Sequence, residues 1–343
     1  MAELSQTTHG WRRYARTARK RLGFVKYVCL DGGHREVRYR ARLRRLDRRA
    51  ARLFEHLSRD GSLARPTVPA ESEIELHTLC HHDALTMGIW SLYSFLRWAE
   101  GRIALFVHSD GSLTRDDAAR LQEHFPKVRL VAPEEGREFV ERRLVGPNYA
   151  FLRDYRAKHY LSPKVLDIHL SEGARTIVLM DTDVLFFRRP DEILSRCLGP
   201  TPGPEVTSFR DQFDWLSTVA PRAVVEGRCR TRIEPGFNSG MVVLPRWGDE
   251  QYDFFERMLR AFPPAWLDHY FVDQLLLALA AGEYGWHALP DCYRIGTSSN
   301  PDSAKAVHYV SNKAVRPSFY TEGLPRLLRS EADHEGSRGS KSS

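Results

Sequence analysis

Between residues 40 and 57, the apolar side chains Leu43, Leu46, Ala50, Leu53, Phe54 and Leu57 recur at intervals of three and four, with arginines filling the positions between. That spacing puts one apolar stripe on a helix and predicts an amphipathic basic helix. The periodicity stops in residues 61–72, which hold Pro66, Pro69 and several small residues and read as a linker. The expected organisation is a basic N-terminal extension over 1–70, a catalytic domain over 71–330, and a polar Gly/Ser-rich tail over 331–343 that is expected to be disordered.

After the linker, short apolar runs alternate with helical periods. Strands are predicted over 74–80, 103–108 and 128–131, and helices over 84–99 and 114–125, the second opened by Thr114 as a cap. A further helical stretch over about 155–170 leads into Thr176-Ile177-Val178-Leu179-Met180, the most continuous buried-strand pattern of the chain. Such alternation predicts an α/β domain with a mostly parallel sheet flanked by crossover helices. No internal repeat is visible.

Composition narrows the class. With 343 residues, 42% hydrophobic and 28% charged, the chain is of ordinary globular make-up, which excludes wholesale disorder. The apolar run 275–281 is far short of the roughly 20 residues that span a bilayer. The net charge of +7 is local: residues 11–50 carry 15 Lys/Arg against Asp31, Glu36 and Asp47, and subtracting that excess of twelve leaves −5 for the rest. The segment starting Trp11-Arg12-Arg13-Tyr14 has no apolar core of a secretion signal. Five scattered cysteines without a Cys-x-x-Cys pair argue against a disulfide framework or a zinc site, so a cytoplasmic protein is expected. The basic helix suits peripheral contact with anionic lipid, or packing on its own domain with the arginines solvated.

Four constellations could carry chemistry. The strand 176–180 runs into Asp181-Thr182-Asp183, and ligands of open α/β sheets bind at the carboxyl ends of strands. Two hard oxygen ligands there suit Mn²⁺ or Mg²⁺ bridging a diphosphate. Phe237-Asn238-Ser239-Gly240 opens another apolar run, offering a donor–acceptor amide and a close backbone approach. Asp273-Gln274 head a helical segment. His308, in a short strand, can complete a metal site begun by two carboxylates, and Lys313 follows it. Taken singly, each has an ordinary structural explanation as a turn, a helix start or a core histidine.

Their order resembles the retaining glycosyltransferases of GT-A fold, specifically glycosyltransferase family 8, over residues 73–317. The resemblance implies that Asp181, Asp183 and His308 bind Mn²⁺ (or Mg²⁺), that Asn238 and Gly240 contact the donor sugar, and that Asp273 and Gln274 lie beneath the anomeric carbon as the catalytic pair. By the same resemblance Lys164 touches the nucleotide and Lys313 the phosphates. The loop Leu79-Cys80-His81-His82-Asp83 lacks the family's usual base-contacting pattern, with His81 the donor-side residue expected from it. Where the family has His-x-x-Gly-x-x-Lys-Pro-Trp, this chain reads His308-Tyr309-Val310-Ser311-Asn312-Lys313. The implied activity is a hexosyltransferase-type transfer of a sugar from a nucleoside diphosphate donor to an acceptor hydroxyl on a glycan, lipid-linked glycan or protein, with retention of configuration.

Rival readings remain open at this stage. Asp181-Thr182-Asp183-Val184 with Gly248-Asp249 and Asp253 also fits the acidic motifs of haloacid-dehalogenase-type phosphatases, but no Lys lies between Val184 and Asp253 to orient a phosphoryl group. An inactive glycosyltransferase-like domain that only binds nucleotide sugar is a second alternative. A nucleic-acid scaffold is disfavoured, since the basic arm lacks interleaved aromatics and no helix-turn-helix or zinc-finger spacing appears.

Overall fold

The computed structural model describes residues 33–170, 173–199, 203–296, 303–310 and 312–339, with side chains to residue 332. Contacts divide the chain into two units, residues 1–52 and 53–343. The first is helical from Gly33, seven residues before the expected start, and Arg40 donates to Glu36 one turn earlier at 2.6 Å. Most of the basic arm before Gly33, and Cys29, lie outside the described residues.

The second unit opens within the same helix, Gly33–Arg59. Phe54 is buried there, with its ring edge-on to Trp90 (4.7 Å), Tyr93 (5.7 Å) and His124 (4.8 Å). The division therefore falls before residues 61–72, where the linker was expected. Leu63 and Val68 of that segment are themselves buried, so apolar anchors hold a proline-rich stretch against the domain.

Among the described residues ten strands follow in chain order: β1 Ile74–Cys80, β2 Ala104–Ser109, β3 Arg129–Val131, β4 Thr176–Met180, β5 Val184–Phe186, β6 Val206–Arg210, β7 Phe237–Pro245, β8 Trp286–Ala288, β9 Tyr293–Ile295 and β10 Ala306–His308. Seven form the main sheet in the order β3-β2-β1-β4-β7-β6-β8, and a small sheet has the order β5-β10-β9. All pairs of the main sheet are parallel except those of β7, which runs antiparallel to β4 and β6. The fold is thus α/β with a mostly parallel central sheet flanked by helices, as the alternation predicts.

The helices Asp249–Ala261 and Val272–Tyr284 bury against β4, β6 and β7 in one apolar cluster that includes Ile177, Val206, Val242 and Leu276. Thr114 caps the helix Arg115–His124 in a reciprocal box: its hydroxyl accepts from the Asp117 amide, and the Asp117 carboxylate accepts from the Thr114 amide. The helix expected over 155–170 is divided into Ala150–Lys158 and two short 3₁₀ turns, Ser162–Lys164 and Asp167–His169. The first ends at Lys158, five residues before Pro163, which sits in the first 3₁₀ turn and has no amide to donate to a helical carbonyl. The last helix, Leu324–Gly339, continues through Glu331, where the sequence reading places the start of a disordered tail; the apolar positions Leu324, Leu327 and Leu328 nucleate it on the domain. Among the described residues no helix is long and apolar enough to cross a membrane. Cys80, Cys197, Cys229 and Cys292 are free thiols.

Candidate active site

The turn Asp181-Thr182-Asp183 joins β4 to β5 and is pinned at each residue. The Asp181 amide donates to the Gly240 carbonyl (2.8 Å), the Thr182 carbonyl accepts from the Ser91 hydroxyl (2.7 Å), and the Asp183 carbonyl accepts from the Tyr309 amide (2.8 Å). Because β10 pairs antiparallel with β5, His308 sits opposite Val184 and its ring reaches both carboxylates. His308 Nε2 is 3.1 Å from Asp183 Oδ1 and 3.8 Å from Asp181 Oδ2.

Asn238 orients that imidazole. Its Oδ1 accepts from His308 Nδ1 at 2.9 Å and from the Gly240 amide at 3.0 Å, while its Nδ2 donates to Asp211 at 3.1 Å. With Nδ1 carrying the proton, Nε2 is the nitrogen presented to the carboxylates. Burial works against charge on His308, but the Asp183 carboxylate outweighs it and raises the imidazole's pKa. Burial likewise disfavours the Asp183 anion, yet His308 brings its pKa down.

These residues fit a divalent cation. One ligand atom from each of Asp181, Asp183 and His308 lies within 4.8 Å of the others, and two oxygens with one imidazole nitrogen make a donor set suited to Mn²⁺. A cradle is also present: residue 240 packs so closely on the His308 ring that any Cβ would overlap it, so only glycine leaves the ring in place.

Beside the triad, Lys164 Nζ lies 2.9 Å from Asp181 Oδ1 and 3.1 Å from Asp273 Oδ2, all but hidden from solvent. Burial disfavours its charge, but the two carboxylates more than compensate and raise its pKa. Breaking such a buried arrangement by removing one member typically costs about 3–5 kcal/mol, because the remaining charges lose their partner. Lys164 therefore couples the candidate metal carboxylate to Asp273. Lys164 ends the 3₁₀ turn Ser162–Lys164, whose three residues are all buried.

An irregularity in the main sheet completes the site. Ser208 pairs with Val242, but the next residue, Phe209, pairs with Asn238, so residues 239–241 of β7 have no register partner on β6. Such bulges re-aim the strand. The freed amides turn to site side chains, Ser239 N donating to Gln274 Oε1 at 3.0 Å and Gly240 N to Asn238. The Ser239 hydroxyl also reaches Gln274 Oε1, at 3.2 Å. Gln274 Nε2 is buried with no hydrogen-bond partner, and the residue lines the cleft. Leaving a buried amide donor unpaired costs about 1–3 kcal/mol, which a bound ligand can recover.

The cleft has a volume of about 1140 Å³, at or above the upper end of ordinary ligand sites. Its wall brings together His81, Lys164, Asp181, Asp183, Asn238, Asp273, Gln274 and His308. Gly240 stands behind the imidazole and supports it. Lys313 is exposed and does not line the cleft. Asn312 accepts the Ala314 amide through its side chain and the Arg316 amide through its carbonyl (both 2.8 Å), a turn that leaves Lys313 outside and sets Arg316 in the wall. Arg316 and Asp211 are the site residues that sequence reasoning missed. The only signal for Arg316 was a cation one turn beyond the expected one, and Asp211, at the end of β6, had none. The phosphatase alternative finds no geometry here. Asp249 pairs with Arg143, Asp253 bonds Tyr149, and neither lines the cleft.

No protein-family model and no curated protein matches the chain. Among solved structures, the fold is similar to that of the bifunctional glycosyltransferase WbbM in its apo form, with a TM-score of 0.51, 15% identity, and coverage of 76% of this chain and 50% of that one. This chain thus matches about half the length of WbbM. It is also similar to mouse xyloside xylosyltransferase 1 in its apo form (TM-score 0.40, 16% identity, 71% of this chain and 99% of that one). A third similar structure is the mannosyltransferase PcManGT from Pyrobaculum calidifontis in complex with GDP-Man and Mn²⁺ (TM-score 0.37, 15% identity, 88% and 87%). At these identities the likeness is one of fold, and the fold is that of GT-A glycosyltransferases.

Proposed function

We propose that this chain is a divalent-metal-dependent glycosyltransferase that moves a sugar from a nucleoside diphosphate donor to an acceptor hydroxyl with retention of configuration. The observation that carries the reading is one continuous arrangement in a single cleft: a two-carboxylate, one-imidazole triad, linked through Lys164 to Asp273, beside the unpartnered amide of Gln274. Asp181, Asp183 and His308 would hold Mn²⁺ or Mg²⁺, which when bound supplies positive charge to the diphosphate leaving group.

The chain's own residues perform the rest. Arg316, in the wall where Lys313 was expected, adds a cation on the diphosphate side, next to His81. Asn238, fixed by Asp211 and His308, and the Gln274 Nε2 donor meet the sugar hydroxyls. The carboxylate of Asp273 suits the positive charge that develops at the anomeric carbon as its bond to the diphosphate breaks. The acceptor oxygen then bonds that carbon on the face the diphosphate leaves, and its proton passes to the departing diphosphate oxygen, which retains the configuration. The nine arginines among residues 33–52 would add an electrostatic contact with anionic lipid headgroups.

The test is a panel of nucleotide sugars screened by thermal shift with Mn²⁺, followed by donor turnover. A ligand that binds the native state alone raises the melting temperature. Asp183→Ala should abolish turnover while the protein remains folded, and the product anomer read by NMR checks retention. Full activity in excess chelator would overturn the metal dependence.

A further inference from the structure

Large aromatic side chains are normally buried, and a cluster of exposed ones marks a contact surface. Among the described residues four aromatics are conspicuously exposed: Phe151 (39%), Tyr160 (60%), Phe213 (60%) and Tyr270 (52%). Phe151 lies under the guanidinium of Arg260, outside the cleft. The other three all line it.

Their anchoring is specific. Tyr160 stacks on His159 (5.2 Å), which stacks on the buried Tyr155 (5.4 Å). Tyr270 meets Phe271 edge-on (5.1 Å), and Phe271 leans on the fully buried Trp215 (5.8 Å). The Phe213 amide donates to Asp211 at 2.8 Å, and the same carboxylate holds Asn238. The rings of Tyr160 and Tyr270 are therefore tied to the core, and the backbone of Phe213 to the site, which lowers the entropy lost when a ligand orders them.

Position separates these rings from the nucleotide. Tyr160 precedes Lys164 by one turn and lies within electrostatic reach of Tyr270, Asp273 and Lys164. His81 lies within reach of Arg316 and Asp110 instead. Asp183 lies within electrostatic reach of both Arg316 and Lys164, so on the transferase reading the diphosphate and base would take the His81–Arg316 side and the rings of Tyr160 and Tyr270 the Asp273 side.

We infer that Tyr160, Phe213 and Tyr270 form the acceptor subsite, and that the acceptor is a saccharide docked by the C–H face of a pyranose ring. A pyranose presents an apolar C–H face to an aromatic ring while its hydroxyls stay free at the rim, and tyrosines add polar tips to the same platform. A polypeptide acceptor would need partners for its backbone amides, which three rings do not supply. This inference rests on the transferase reading, so its test is kept separate from donor chemistry.

The probes are methyl α- and β-D-glucopyranoside, methyl β-D-galactopyranoside, maltose, lactose and a serine/threonine-rich peptide, each with the full chain. Saturation-transfer NMR reads binding and the protons in contact. At least one saccharide should bind, with transfer concentrated on the C–H protons of one ring face. Tyr160→Ala and Tyr270→Ala should weaken it at least tenfold, and Tyr160→Phe should retain it. No binding by any saccharide at 20 mM (a concentration of about five times a millimolar-range Kd), undiminished binding in both alanine variants, or binding of the peptide alone overturns the inference. Donor hydrolysis by the wild-type chain is measured in parallel. Its absence removes the transferase reading, whereas its presence without saccharide binding removes only the acceptor assignment.

Discussion

Gly240 packs its backbone directly against the imidazole of His308, leaving no room for a Cβ. The strand that would contact the donor sugar and the strand that carries the nitrogen ligand are thereby held at a separation only glycine permits. Gly240→Ala should push the ring away from Asp181 and Asp183. Mn²⁺ affinity, measured by calorimetric titration, should fall about 10–100-fold, the range seen when support of a metal ligand is lost. Unchanged affinity would show that the ring's position is immaterial to the metal.

Gln274 offers its carbonyl to Ser239 and keeps its amide nitrogen for the cleft. Loss of that donor should slow transfer more than it weakens donor binding, as expected for an interaction that strengthens in the transition state. For Gln274→Ala we expect single-turnover transfer to drop about 10²–10³-fold. Donor Kd should change by no more than about tenfold, the worth of one hydrogen bond. A variant with wild-type transfer would remove Gln274 from the reaction.

Phe54 belongs to the second unit through Trp90, Tyr93 and His124, although its helix begins in the first. Phe54→Ala should destabilise the domain by about 3–5 kcal/mol, the usual result of emptying a buried aromatic site. Chemical denaturation would measure it. A change below about 1 kcal/mol, the range of a surface substitution, would contradict this packing.

Acid should destabilise the fold through three buried histidines outside the site. Burial lowers the pKa of His77, His108 and His169 from the ordinary 6.5, although Glu75, 3.0 Å from His77 Nε2, opposes this in part. His77 Nδ1 and His108 Nε2 share one proton across 2.8 Å, and Arg156, Arg129 and Arg246 nearby disfavour further protonation. The unfolded chain binds these protons more readily, so stability is full above pH 6.5 and declines as pH falls through the depressed folded values. The slope is about 1.4 kcal/mol per pH unit for each histidine that stays neutral. Melting temperatures from pH 7.5 to 5 should fall, and His169→Asn should flatten the decline; a pH-independent melt over that range would contradict it.

The alternation of apolar runs carried the α/β class, several strand positions and the starts of the helices at Leu85 and Arg115. Apolar periodicity is local, and it is the same whether read along the chain or in the fold. That Asp181, Asp183, Asn238, Gln274 and His308 share one cleft was legible for a related reason: these residues stand at strand ends and helix starts, which such sheets turn toward one edge. The two cations were legible unequally. Lys164 was placed by resemblance, but that it bridges Asp181 and Asp273 depends on three segments distant in sequence meeting. Lys313 stands outside the cleft wall and Arg316 within it, because the turn made by Asn312 separates the two. Asp211, the three-residue slip of β7 against β6, and the exposed rings of Tyr160, Phe213 and Tyr270 were decided by tertiary structure alone. Each depends on contacts between segments distant in sequence, and no local pattern of side chains encodes which distant segment will be the partner.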